Sequence, residues 1–310
     1  MSTSDPIGVL GSGDEHRHEH DADPLWSESY YLDFVDEERG VGGYVRLALL
    51  PNQGRAWYWV CVTGPDRPMV AVIDHEVALP RGRSTEVRAE GLWADYTVET
   101  PGDHVTVGVE AFAVALDHPA DSYGHMVGQR VPLGLDLEWE TDGGTYPYPG
   151  VTRYEVPCRV HGEVLVGSES IEIEGWGQRD HSWGARDWWS YSWSWTAGRL
   201  DDGTRFHATQ VELDGHQLYG TGYVQPKGGI MEATDQVSRG EVLGDHGFPT
   251  GATWQIADLS LELAPVSFAP VAIASGDGRL SHLPRAWTRF SAADGRTGSG
   301  WTEWNQLRSG

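Results

Sequence analysis

No stretch of the chain approaches the ~18 consecutive apolar residues that a membrane-spanning helix needs, so a helical span is excluded. Cysteine is scarce. Cys61 and Cys158 lie far apart, each in an apolar, strand-like run. The opening "MSTSDPIGVLGSGDEHRHEHDADP" has neither a basic start nor an apolar core and does not read as a secretory signal. A cytoplasmic location and reduced, structural thiols are therefore expected. Basic residues are also few, 22 Lys and Arg against 46 Asp and Glu, giving a net charge of −24. A field of that sign repels nucleic acid and anionic membranes, and neither is expected as a partner. There is no G-x-x-x-x-G-K-[ST] loop and no G-x-G-x-x-G ahead of a helix, which argues against nucleotides and dinucleotides. No H-x-H or H-E-x-x-H accompanies His181, and the "HRHEH" cluster of His16, His18 and His20 reads as incidental in an acidic, polar segment. No metal and no cofactor is expected.

What the chain does have is strands. "YVRLALL", "AWYWVCVTG", "HVTVGVEAFAVAL", "LGLDLEWE", "RFHATQVEL" and "ATWQIADLSLELAP" are short β-branched or aromatic runs closed by Gly, Pro, Asp or Asn. No long i, i+3, i+4 apolar pattern interrupts them, so the fold class is all-β. Residues 1–22 are polar and read as a flexible tail. Displaced by 163 positions, "WSESYYLDFVDEERG" from Trp26 lies without a gap on "WSYSWSWTAGRLDDG" from Trp189. Each segment is an opening strand followed by an acidic turn, and each starts about half the strands. The repeat predicts two tandem lipocalin-like antiparallel barrels, 23–174 and 175–310, since closure removes the exposed edges of so large a sheet.

Tryptophans concentrate in one place. "GWGQRDHSWGARDWWSYSWSWTAGRLDDG", Gly175 to Gly203, holds six of the fifteen. Trp189, Tyr191, Trp193 and Trp195 alternate with hydroxyl residues, and period two puts the aromatics on one face. That face reads as a core surface, a wall for a large apolar ligand, or a stacking surface for carbohydrate. The last would call for many neighbouring Asp, Asn and Gln side chains and ranks lowest. Glycines 175, 177 and 184 predict close backbone approach or positive φ before that strand. Two Arg-Asp pairs, Arg179-Asp180 and Arg186-Asp187, predict a structural brace, with Arg179 pairing Asp187 or Arg186 pairing Asp180. Asp180-His181-Ser182 is not a nucleophilic triad, because three consecutive side chains cannot converge on one atom. A carboxyl buried among indoles can stay protonated, an imidazole can exchange a proton, and indole faces tolerate cations. Asp180 and His181 are thus the candidate acid and base. Trp183, Trp189, Tyr191, Trp193, Trp195 and, from "RFHATQ", His207 are the candidate substrate contacts, with Arg179, Arg186 and Asp187 bracing.

"GQRDHSWGARDW", with the upstream hairpin "CRVHGEVLVGSESIEIEG", resembles the lipocalin-like family that includes hydroxyneurosporene synthase, a carotenoid 1,2-hydratase, and within it a bacterial branch carrying RDHSWG…RDW. The resemblance implies tandem calycin-type barrels and carries over to Asp180, His181, Trp183 and Gly184. Its chemistry ranges from hydratases to pericyclase-like proteins. Two functions stay open: a hydratase, dehydratase or isomerase for a hydrophobic, terpenoid-like substrate, and a non-catalytic carrier of such a molecule.

Overall fold

The computed structural model describes residues 13–124 and 126–308. The first eleven strands are β1 (Trp26–Asp36), β2 (Val41–Leu50), β3 (Arg55–Gly64), β4 (Arg67–Ala78), β5 (Val87–Ala89), β6 (Leu92–Thr100), β7 (His104–Leu116), β8 (Gln129–Thr141), β9 (Tyr146–Pro147), β10 (Arg153–Val166) and β11 (Glu169–Ala185). They form one antiparallel sheet in the order β4-β3-β2-β1-β11-β10-β8-β7-β6-β5, and a β4–β7 ladder closes it into a barrel.

The second sheet holds β12 (Ser192–Leu200), β13 (Arg205–Leu213), β14 (His216–Gln225), β15 (Glu232–Thr234), β16 (Val237–Leu243), β17 (Pro249–Ile256), β18 (Leu259–Phe268), β21 (Arg285–Ala292) and β22 (Thr297–Arg308). The short β19 (Val271–Ala274) and β20 (Leu280–Leu283) flank it. Its order is β15-β14-β13-β12-β22-β21-β18-β17-β16, and Arg239 on β16 bridges Glu212 on β13 across the gap between its ends. In both sheets the opening strand lies between the second and the last, β1 between β2 and β11, β12 between β13 and β22. The 163-residue offset therefore aligns structurally equivalent strands. Helix among the described residues is limited to three short 3₁₀ turns, and none is long and apolar enough to cross a membrane.

Two expectations need correction. The sheets do not change at Gly175, which lies inside β11; they change between Ala185 and Ser192. The polar string thus belongs to the first barrel, because β11 must pair with β1 and β10 to close it. The glycines do work as expected: a Cβ at Gly177 would lie 1.9 Å from the Asp33 carbonyl, and Gly184 takes a φ of 110°. Residues 13–22, expected in a flexible tail, instead pack on the first barrel, with Glu15 only 1% exposed; the rest of that segment lies outside the described residues.

Strand alternation divides the core. Even positions of β1 (Tyr30, Leu32, Phe34) fill the first barrel with Val45, Leu47, Trp139 and Val160. Leu200, Phe206, Trp254, Phe290 and Trp304 fill the second. Between them runs a third cluster built from outward faces: Tyr31, Tyr44, Trp57 and Trp59 from the first barrel, Trp195, Ala197, Trp287 and Trp301 from the second. The Trp301 indole donates to the Phe34 carbonyl (2.9 Å) and the Tyr44 hydroxyl to that of Ala269 (3.0 Å), fixing the barrels side by side. Cys61 and Cys158 are buried and unpaired. Burial raises both thiols, Cys158 to about 12, so neither is a thiolate near neutrality.

Candidate active site

A cavity of about 430 Å³ opens in the seam between the barrels. Tyr31, Arg46, Tyr148, Arg153, Asp180 and Ser182 line it from the first barrel, and Trp193, Trp195, Thr209, Arg285 and Glu303 from the second. Trp188 and Tyr191, in the connection, complete the wall. By contrast, a void inside the first barrel among Tyr30, Leu47, Tyr58 and Tyr96 measures about 10 Å³, room for one water molecule at most. The aromatic wall expected on β12 faces this seam and not a barrel interior. On β12 the indoles of Trp193 and Trp195 face the neighbouring barrel, while Ser194 and Thr196 turn toward the second barrel's interior, and the Thr196 hydroxyl meets that of Thr302 at 2.9 Å. Each barrel covers the other's outer face, so alternation marks two buried sides rather than one.

The same alternation separates Asp180 from His181. Across β11, Asp180 is paired with Tyr31 and Glu155, His181 with Tyr30 and Tyr154. Asp180 opens on the cavity. His181 points into the mouth of the first barrel, stacked on Tyr30 at 4.2 Å, with Nε2 3.0 Å from Glu28 and Nδ1 2.8 Å from the Asp14 carbonyl. Asp180 and His181 do not share a site, which removes His181 as the base for a reaction in the cavity. Trp183 also lies outside it, stacked on His18 at 3.7 Å. Trp189 packs in the seam and donates to the Ile273 carbonyl (2.9 Å).

Neither expected pairing between the two Arg-Asp pairs forms. Asp180 pairs with Arg153 (2.8 Å), Arg179 with Glu15 (3.0 Å), and Asp187 with Arg279 (3.2 Å). Among the described residues Arg186 hydrogen-bonds only the carbonyls of Thr152, Trp183 and Ala185, at 3.3–3.4 Å. Arg179 cannot meet Asp187 because it points into the first barrel.

Behind Asp180 stands a buried polar network that the sequence reading missed. Glu155, fully buried, bonds Arg153 (2.7 Å) and accepts from the Trp195 indole (2.9 Å) and the Gln178 amide (3.0 Å). Tyr148 places its hydroxyl 2.7 Å from Nε2 of His207. The other ring nitrogen of His207 faces the Thr196 carbonyl at 2.9 Å and must donate there, so Nε2 accepts the phenolic proton. Burial and then Arg153 hold His207 well below the ordinary histidine range, in keeping with a neutral ring. His207 therefore backs the cavity wall through Tyr148 rather than lining it. Desolvation pushes the Asp180 carboxyl up to about 7, Arg153 opposing it and the nearby Glu155 charge adding to it. Two residues apart on β10, Arg153 and Glu155 share one strand face, and "TRYEVPC" shows this spacing to anyone who asks which charges sit inside an apolar strand.

A second polar group lies at the first barrel's mouth, where His18, Glu28 and His181 bring potential ligand atoms within 4.8 Å of one another. Hydrogen bonds join them here, His18 Nδ1 to Glu28 at 2.8 Å. The group faces away from the cavity.

The fold is shared with solved structures of low sequence identity. An AttH candidate from Nitrosomonas europaea superposes with a TM-score of 0.68 at 12% identity, covering 98% of this chain and 99% of that one. Kievitone hydratase from Nectria haematococca gives 0.63 at 9%, covering 99% and 95%. CghA gives 0.53 at 11%, covering 92% and 88%. No curated protein sequence matches the chain. Residues 11–308 match the family described as a domain of unknown function, DUF7064, and the chain belongs to that family.

Proposed function

We propose that the protein is a hydratase, dehydratase or isomerase acting on a largely hydrophobic, terpenoid-like small molecule in the cavity between the barrels. The observation that carries this reading is Asp180, a buried carboxyl raised to about 7 and opening on an indole-walled chamber. An acid matched to the working pH can hold a proton and still give it up. Asp180 would protonate an alkene carbon of the ligand. The faces of Trp193 and Trp195 would stabilise the cationic carbon left behind. Water then adds to that carbon, and its surplus proton passes to Tyr148 as Tyr148 gives its own to His207. The relay then runs back to release that proton to cavity water, and Asp180 takes one up from the same water, restoring both groups. Loss of a proton from a neighbouring carbon, in place of water addition, yields an isomer; the reverse sequence is dehydration. The likeness to kievitone hydratase supports this as analogy at the level of fold.

One observation favours a second reading, a carrier of hydrophobic small molecules. The Arg153 guanidinium 2.8 Å from Asp180 stabilises the carboxylate and would make the polar string a scaffold. The two readings part on turnover. Native mass spectrometry would identify a co-purified ligand, which is then incubated with the protein in isotopically labelled water. Gain or loss of one water, or an isomer of unchanged mass, is expected with the parent protein and absent with Asp180→Asn. Turnover by Asp180→Asn at the parent rate would overturn the catalytic reading.

A further inference from the structure

The cavity holds more positive charge than its own carboxylates neutralise. Four arginines line it, Arg46, Arg153, Arg186 and Arg285. Arg153 is met by Asp180 and Glu155, and Arg285 by Glu303. The third lining carboxylate, Asp187, is engaged by Arg279. Arg46 and Arg186 have no carboxylate within ion-pair distance among the described residues. In a chain of net charge −24 this is a local reversal of sign.

Arg46 is the sharper case. It is 2% exposed on β2, on the outward face shared with Tyr44 and Ala48. Its Nε donates to Ser29 Oγ (3.0 Å), and the guanidinium stacks on Trp59 (4.4 Å) and Trp188 (4.6 Å). Neither terminal nitrogen, Nη1 or Nη2, has a hydrogen-bond partner among the described residues, and both are buried beneath the cavity surface. Those two nitrogens form the edge of the fork that matches a planar pair of oxygens. A buried guanidinium set against two indoles beside the cavity, with no carboxylate partner and two unmet nitrogens, calls for an anion rather than adding stability.

We propose that Arg46 is the docking point for a planar oxygen anion on the ligand, so that the natural ligand is a hydrophobic small acid: an apolar body against the indoles, ending in a group such as a carboxylate. This rests on the reading of the cavity as the ligand site. It narrows the substrate class from any terpenoid-like molecule to one carrying a negative charge. It also gives the ligand a direction, with its charged end at Arg46 and its reacting carbon elsewhere, near Asp180. Burial, followed by the field of Arg285, lowers Arg46 to about 9, which leaves it charged near neutrality.

The test uses two probes of matched shape and different charge, anthracene-2-carboxylate and anthracene-2-carboxamide, titrated against the full chain by tryptophan quenching. The parent protein should bind the carboxylate at least about tenfold more tightly, the weight of one charge-assisted fork. Arg46→Met should bring the two probes within about twofold of each other, with a far-UV circular dichroism spectrum matching the parent's as the check on folding. Where Arg46→Met does not fold, Arg46→Gln carries the same comparison. Equal binding of the two probes by the parent, or a preference that survives in the variant, overturns the anion site and leaves the cavity reading intact. Failure of both probes to bind the parent overturns the cavity reading, and the anion site with it.

Discussion

Glu15 and Arg179 form an ion pair inside the first barrel, with Nη2 3.0 Å from Oε1, although 164 residues separate them. Glu15 also accepts from the Tyr154 hydroxyl and the Gly102 amide, at 3.0 Å each. This buried carboxylate is one of several polar ties, with His18 to Glu28 and the Asp14 carbonyl to His181, that fasten a segment of low apolar content.

Removing that carboxylate strands a buried guanidinium. Glu15→Ala should cost about 3–5 kcal/mol and lower Tm clearly. Desolvation is the largest influence on Glu15 and pushes its pKa upward, yet Arg179 and the hydrogen bonds from Arg179, Tyr154 and Gly102 bring it below the ordinary value. A depressed carboxyl contributes stability above its unfolded pKa and loses it as pH falls through the folded one. The urea midpoints of the parent and Glu15→Gln should therefore converge in acid, and parallel curves would refute the pairing.

Asp180 carries the opposite sign. Its folded pKa lies near 7, above the usual carboxylate value, so the folded state binds the extra proton. The associated stability is present below the unfolded pKa and is lost as pH rises toward 7. Asp180→Asn should remove this dependence, so that the difference in urea midpoint between parent and variant changes between about pH 4 and pH 7 and is flat above that window. A constant difference across the window would mean that Arg153 keeps Asp180 ionised throughout.

Arg153 and Arg186 should differ sharply on replacement. Arg153→Ala leaves Glu155 and Asp180 buried without their shared cation and is expected to lower stability by about 3–5 kcal/mol. Arg186→Ala gives up only long contacts to carbonyls, and its Tm should stay close to the parent's. Differential scanning calorimetry of the two variants side by side decides the point.

Tyr148→Phe removes one hydroxyl and leaves the ring against Arg153. If Tyr148 and His207 handle the proton of the incoming water, turnover should fall by about 10²–10⁴-fold while ligand quenching is unchanged. A variant as active as the parent would assign the base role elsewhere.

The strand content, the paired halves and the aromatic stripe were legible in the sequence because each is a local pattern: spacing, an offset and period two. Trp193 and Trp195 of that stripe line the cavity, while Trp189 packs in the seam. What could not be read was which side of β12 becomes concave, since two barrels back to back bury both faces of their shared strands. Partner choice failed for the same reason. Arg179, Asp180 and Asp187 found Glu15, Arg153 and Arg279, all distant in sequence and all delivered by strand order. A single charge within an apolar run, as Arg46 is in "YVRLALL", was the local signal overlooked.

The alternation of β11 has a further implication for how such a chain can change. Odd positions 179, 181 and 183 serve the first barrel's mouth, while even positions 178, 180 and 182 serve the seam. Point substitutions can retune either chamber without disturbing the other. A one-residue insertion or deletion upstream in β11 would exchange them outright, presenting an imidazole to the cavity and driving a carboxyl into the barrel beside Glu28. Register along this strand is therefore as tightly constrained as the identity of its residues.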